Sequence, residues 1–207
     1  LMEGGYIVSS HSYWNDPAGY RKDHPEDVRE GEFQASMEAK VNMMDFRVGG
    51  ETKSWFENSF SLVKRFNAEG GYRLYPTQVS VPSAGTFSSR VTLGHSWANL
   101  GWGYCPVNIR QWNYKYKVAF ALLDSKGEPV KVFVDVQTDL SQWLKGEVTS
   151  YTFDVDIKGV AVGAYTWGVG IVDTTEDNRI GIRAAVAASQ MTDTGWVRAG
   201  TFTVTAE

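Results

Sequence analysis

The chain has 207 residues, 43% hydrophobic and 21% charged, the balance of a folded protein and not of a disordered one. At ~100–200 residues per domain the length fits one large domain or two small ones, and it falls short of the ~250 residues that a complete TIM barrel takes. Twenty Lys+Arg against 24 Asp+Glu give a net charge of −4 with no long basic run, which argues against nucleic acid and anionic membrane as partners.

The single Cys105 cannot form an internal disulfide, no His/Cys spacing suits structural zinc, and no apolar run spans a bilayer. No cofactor is expected. No signal peptide is expected from the first residues, and a start at Leu1 instead of Met reads as a processed or excised piece of a longer chain. The 21 Gly with 8 Trp, 10 Tyr and 10 Phe suggest turn-rich β structure, an aromatic binding face, or both.

In chain order, Glu3 to Tyr13 reads as a short strand, and Asp23-His24-Pro25-Glu26 as a helix start. Val28, Phe33, Met37 and Val41 follow at roughly helical spacing. Val41 to Val48 reads as a second buried strand released by Gly49-Gly50. Thr52 to Phe66 is the clearest helix: Trp55, Phe56, Phe60, Leu62, Val63 and Phe66 make an apolar stripe opposite Lys53, Glu57, Asn58, Ser61 and Lys64. Residues 1–71 thus form a small β-α-β-α segment.

After Tyr72 the helical period vanishes. Strands are predicted at Val79–Val81, Val91–Leu93, Tyr116–Leu122, Val130–Val136, Tyr151–Ile157, Tyr165–Ile171 and Thr201–Thr205. Asp124-Ser125-Lys126-Gly127 joins two of them as a hairpin. Residues 72–207 are therefore expected to form an antiparallel two-sheet β-sandwich, immunoglobulin- or jelly-roll-like, and the whole protein to be mainly β.

The densest chemistry lies between Trp97 and Tyr116. Trp97, Trp102, Tyr104, Trp112, Tyr114 and Tyr116 are interleaved with Gly101, Gly103 and Pro106 and with few charges. A sugar ring offers apolar C–H faces to an indole or phenol and hydroxyls to polar side chains; Asn108, Arg110 and Gln111, with Asn99 and Asn113, suit the second task. Each ring alone could plug an end of the sandwich, but six in one polar, Gly-rich segment point to a platform.

Glycoside hydrolysis needs a carboxylate pair. The available pair is Asp45 and Glu51, but Asp45 sits inside a short strand and Glu51 suits a helix first turn as dipole decoration. No catalytic residue is therefore expected on this chain. Asp173, Glu176 and Asp177 offer oxygen ligands without the spacing of an EF-hand loop, so a solvated turn is the preferred reading and no metal is expected. His11, His24 and His95 have no neighbouring partners in sequence that would make them catalytic.

The stretch Asn42 to Pro76 resembles the last strand and helix of a glycoside-hydrolase-type (β/α)8 barrel, and Gly71-Tyr72-Arg73-Leu74-Tyr75-Pro76 is similar to the junction into a C-terminal β-sandwich. Asn99-Leu100-Gly101, Trp143-Leu144-Lys145-Gly146 and Gly163-Ala164-Tyr165, running on to Val172-Asp173, resemble pieces of that appended sandwich. Such domains occur in bacterial β-galactosidase-like proteins. Six of the eight barrel units are absent, so the resemblance implies sugar recognition by an accessory module and not hydrolysis.

Together these readings suggest a non-catalytic carbohydrate-binding module for a plant or microbial polysaccharide. The alternative is a structural C-terminal piece of a glycoside hydrolase. An extracellular or periplasmic setting would follow from a polysaccharide partner. The Trp55–Phe66 stripe is expected to pack on the sandwich, on a second copy, or on the rest of a longer enzyme.

Overall fold

The computed structural model describes residues 6–8, 28–45 and 49–206. The chain divides into two compact units: Leu1–Tyr72 with Leu100–Cys105, and Arg73–Asn99 with Pro106–Glu207. The predicted helix start at 23–26, with His11 and His24, lies outside the described residues.

In the first unit, β1 (Tyr6–Val8) pairs in parallel with β2 (Met43–Asp45), and α1 (Val28–Glu38) lies between them in sequence. The single predicted helix over 52–66 is in fact two, α2 (Gly49–Asn58) and α3 (Phe60–Glu69). The break falls at Asn58-Ser59, residue types whose short polar side chains compete with the helical backbone. Ser59 takes φ −142°.

The apolar stripe is divided by this break. Trp55 and Val63 are buried with Phe33, Met37 and Val41 in one cluster, against which Leu62, Phe66 and Trp102 pack. Phe33 and Met37 stand one turn apart on α1 and share this core with Trp55 and Val63. Phe56 and Phe60 stay on the surface as a ring pair with centroids 5.3 Å apart.

The second unit is a β-sandwich, and its sheets meet through aromatic side chains. One sheet has the order β3 (Leu74–Ser80), β5 (Arg90–Asn99), β8 (Val148–Asp156), all antiparallel. The other runs β4 (Ala84–Thr86), β11 (Val197–Thr205), β9 (Gly163–Asp173), β6 (Tyr116–Leu123), β7 (Pro129–Asp135), with β10 (Arg179–Ile182) pairing on the end of β9. The short β4 and β10 escaped the sequence reading, and β4 joins β11 in parallel, in contrast to the antiparallel pairing of the other strands of its sheet. The β6–β7 hairpin forms as predicted: Asp124 Oδ1 accepts from the Lys126 and Glu128 amides, and Gly127 takes φ +83°.

Between the sheets, Phe120 of β6 packs on Phe153 of β8 (5.9 Å) and on Trp167 of β9 (6.3 Å). The larger sheet is buried on its other face too, so β6 shows six consecutive buried residues instead of alternation. Ala119, Ala121, Leu123 and Val172 there lie under Trp196. Gly168 makes this possible: a methyl group there would sit 2.8 Å from Leu123 and 3.1 Å from Trp196.

Candidate functional site

The six aromatics of the Trp97–Tyr116 segment are divided between the two units. Trp97, at the end of β5, is fully buried and stacked on Trp143 at 5.3 Å. It has no face left for a ligand, and it leaves the predicted platform. A tryptophan on an inward-facing strand position buries more area than any other side chain, and the core claims it.

Trp102 and Tyr104 belong to the first unit. The Trp102 indole N–H donates to Glu69 Oε2 (3.1 Å), its ring lies against the helical core, and the Tyr104 carbonyl accepts from Asn42 Nδ2 (3.0 Å). Both rings are half-buried. The glycines around them serve close backbone packing. The Trp102 amide donates to the Glu69 carbonyl (2.8 Å) and the Gly103 amide to the Gly71 carbonyl (2.8 Å). A side chain at Gly101 would collide with the Gly71 carbonyl, a backbone atom with no room to yield. Gly101→Ala is therefore expected to destabilise the first unit by about 2 kcal/mol or more, read as a lower denaturant midpoint by far-UV circular dichroism.

The remaining three rings, Trp112, Tyr114 and Tyr116, lie on the loop 106–115 and the start of β6. Asn108, Arg110 and Gln111 are exposed on the same loop. The Trp112 ring meets Tyr116 edge-on at 5.1 Å and 83°. Tyr116 rests on Gly181 of β10, where a Cβ would stand 2.6 Å from its ring. Tyr114 is 44% exposed.

The backbone beneath Tyr114 is unusual. The Lys115 amide donates to the Trp112 carbonyl (2.8 Å), closing a turn whose central residues Asn113 and Tyr114 have φ +41° and +57°. Asn tolerates the left-handed region, whereas the second central position of such a turn favours Gly. Here it holds a tyrosine. The Tyr114 amide donates to the Val107 carbonyl (2.7 Å) and the Asn113 amide to the Ile109 carbonyl (2.8 Å), so the turn is held from both sides.

Lys115 and Asp173 anchor the corner, with Nζ 2.5 Å from Oδ2. The hydrogen bond to Asp173 raises the Lys115 ammonium above its ordinary value. Burial by itself would raise Asp173, but the hydrogen bonds from Lys115 and Thr175 outweigh it and hold the carboxyl below its usual range. With the carboxyl depressed and the ammonium raised, both groups are charged at neutral pH. The stabilisation is lost only as pH falls through the acid range of Asp173 or rises beyond Lys115.

Asp173 is thereby committed to the protein. Its Oδ1 accepts from the Thr175 amide (2.9 Å) and hydroxyl (2.6 Å), Glu176 pairs with Arg179 (2.6 Å), and Asp177 is an exposed turn residue. The three carboxylates do not converge, and among the described residues no group of three His, Cys, Asp or Glu could hold a metal ion. Asp45 ends β2 and Glu51 lies in the first turn of α2.

One buried network lay beyond the sequence reading. The Trp97 indole N–H donates to His95 Nδ1 (3.0 Å), and His95 Nε2 lies 3.1 Å from Asp135 Oδ2. An acceptor at Nδ1 fixes the neutral tautomer with its proton on Nε2, which donates to Asp135. Asp135 Oδ1 takes the Gln137 amide (3.0 Å). Both imidazole nitrogens are engaged, so His95 has no lone pair free to accept a substrate proton. Only the spacing of His95 and Trp97, two apart on one strand and hence on one face, could have suggested the link.

Among the described residues the sandwich carries concavities away from the aromatic loop. One of about 440 Å³ is lined by Thr92, Thr152, Asp154, Asp135, Val136 and Gln137; its Asp154 carboxylate accepts from the Thr92 hydroxyl at 2.6 Å. Another, about 350 Å³, lies against Trp196, Val132, Ile180, Glu128 and Asp177. Neither contains a ring of the aromatic loop.

No protein-family model and no curated protein matches this sequence. Among solved structures the chain is similar to the CARDB domain of the PF1109 protein from Pyrococcus furiosus, in complex with di-metal ions. The identity is 18%, with 66% of this chain and 96% of that one covered, at a TM-score of 0.36. A Niemann-Pick type C2 protein from the Japanese carpenter ant matches at 5% identity over 64% and 93%, TM-score 0.35. The β-glucosidase 3B from Thermotoga neapolitana, in complex with glucose, matches at 15% identity over 48% of this chain and 14% of that one, TM-score 0.30. These likenesses are too distant to carry an argument about what this chain binds.

Proposed function

We propose that the second unit is a non-catalytic carbohydrate-binding domain whose platform is the 106–116 loop, with Tyr114 and Trp112 as the stacking rings. The observation that carries this reading is the Tyr114 ring, held on the surface by a left-handed turn where glycine would be the economical residue. Residues kept in costly backbone conformations concentrate at functional positions. Asn108, Arg110 and Gln111, exposed on the same loop, offer donors and acceptors for sugar hydroxyls. Tyr116 positions Trp112 and is not itself a stacking surface.

Affinity per site would be modest, since exposed hydrogen bonds compete with water. The test is retention of the 207-residue chain on a panel of insoluble plant and microbial polysaccharides. Retention on at least one polymer is expected for the native chain, and the double substitution Trp112→Ala with Tyr114→Ala should abolish it. Undiminished retention of that variant would sink the reading.

A structural piece of a glycoside hydrolase is the second reading, favoured by Phe56 and Phe60. Two rings left on the surface of the first unit are what an adjoining barrel would cover. On this reading the native chain is retained by no polysaccharide.

A further inference from the structure

We infer that the platform takes an acidic saccharide, one whose ring carries a carboxylate as in a uronic acid; this rests on the carbohydrate reading proposed above. The charges around the loop carry it. Lys115 is neutralised by Asp173, but Arg110 and Lys117 have no carboxylate within ion-pair distance among the described residues. Lys117 lies beside the Tyr114 ring, and Arg110 stands exposed on the same loop.

Lys117 is also held in place. Its ammonium donates to the Thr138 carbonyl at 2.6 Å and lies 5.8 Å from the centre of the Tyr114 ring. One of its three protons is committed to that carbonyl, and the others remain for a ligand oxygen. Because the side chain is ordered before any ligand arrives, little rotamer entropy is lost when an anion pairs with it. Arg110, four residues before Tyr114, is exposed and offers the planar fork that matches a carboxylate. A neutral sugar would use the rings, the amides and the Arg110 donors, but it gives Lys117 no charge to pair with.

Aromatics beside cations also describe single-stranded nucleic acid sites. Those sites track a phosphate backbone along a basic groove. Among the described residues the loop and strand start carry two cations without a carboxylate partner, Arg110 and Lys117, which suits one anionic ring better than a phosphate chain.

The test is isothermal titration of the 207-residue chain with three soluble probes: polygalacturonate, the same polymer after chemical reduction of its carboxyl groups, and an oligothymidylate. Tighter binding of polygalacturonate than of its reduced form is expected, weakening as salt is raised. Lys117→Gln should weaken polygalacturonate binding about three- to fivefold and leave the reduced polymer unaffected, and Arg110→Gln should weaken polygalacturonate more than the reduced polymer.

Equal affinity for the two polymers, or indifference to both substitutions, would overturn the acidic preference while leaving the platform standing. Stronger binding of oligothymidylate would overturn it in favour of nucleic acid. If neither polymer binds, the acidic inference fails; the platform reading itself fails only if the neutral polysaccharide panel is also blank.

Discussion

Replacing His95 with alanine is expected to lower the stability of the sandwich by about 3 kcal/mol or more, a large share of the ~5–15 kcal/mol typical of a folded domain. The imidazole is wholly buried and touches both sheets. It stacks on Tyr151 at 5.2 Å, meets Phe120 and Phe153 at 5.5 and 6.0 Å, and joins Trp97 to Asp135. Alanine would leave a cavity among those rings, a tryptophan N–H without its acceptor, and a buried carboxylate holding only one of its two donors.

The direction of the network makes a second, finer expectation. Each link has a fixed donor: the Trp97 N–H to His95 Nδ1, the Nε2 proton to Asp135 Oδ2, and the Gln137 amide to Oδ1. Asp135 must therefore accept at both oxygens. Asp135→Asn, although nearly the same shape, turns one acceptor into a donor that faces another donor, and should cost about 1–3 kcal/mol. Urea unfolding followed by tryptophan fluorescence measures both. If His95→Ala shifts the midpoint by less than an ordinary surface substitution, the network contributes nothing to holding the sheets together.

How much of this was legible in the sequence follows from the range of each interaction. The β6–β7 hairpin was readable because its turn chemistry is local, with Asp124 and Gly127 within four residues. The double burial of β6 was half-legible, since a continuous apolar run announces a covered strand without saying what covers it. Its cover, Trp196, comes from more than seventy residues away. β4 was missed because Ala84-Gly85-Thr86 has no apolar pattern; it exists by pairing with β11.

The same reasoning explains the aromatic segment. Composition showed that rings were abundant between Trp97 and Tyr116, but whether a ring faces core or solvent depends on partners distant in sequence. Trp97 found Trp143 at a separation of 46, and Trp102 found Glu69 at 33. Tyr114 was left outside by its own turn, and that turn had a local trace. Asn113 stands where a type I′ turn accepts asparagine, and a glycine in place of Tyr114 would have made the motif plain.

Substituting that glycine is the experiment that separates what the position does for the fold from what it does for the surface. Tyr114→Gly removes a Cβ from the left-handed region, and the expected gain is about 1 kcal/mol, reduced somewhat by the loss of the Lys117 contact with the ring. The same change deletes the most exposed ring of the platform. Retention on whichever polysaccharide the native chain binds should fall by about tenfold or more. A variant that is more stable and binds less would show that the tyrosine is kept at a cost to the fold, as expected of a ligand-contacting residue. If Tyr114→Gly instead destabilises the sandwich and leaves retention intact, the ring belongs to the packing of the loop, and the platform must be sought elsewhere on the sandwich.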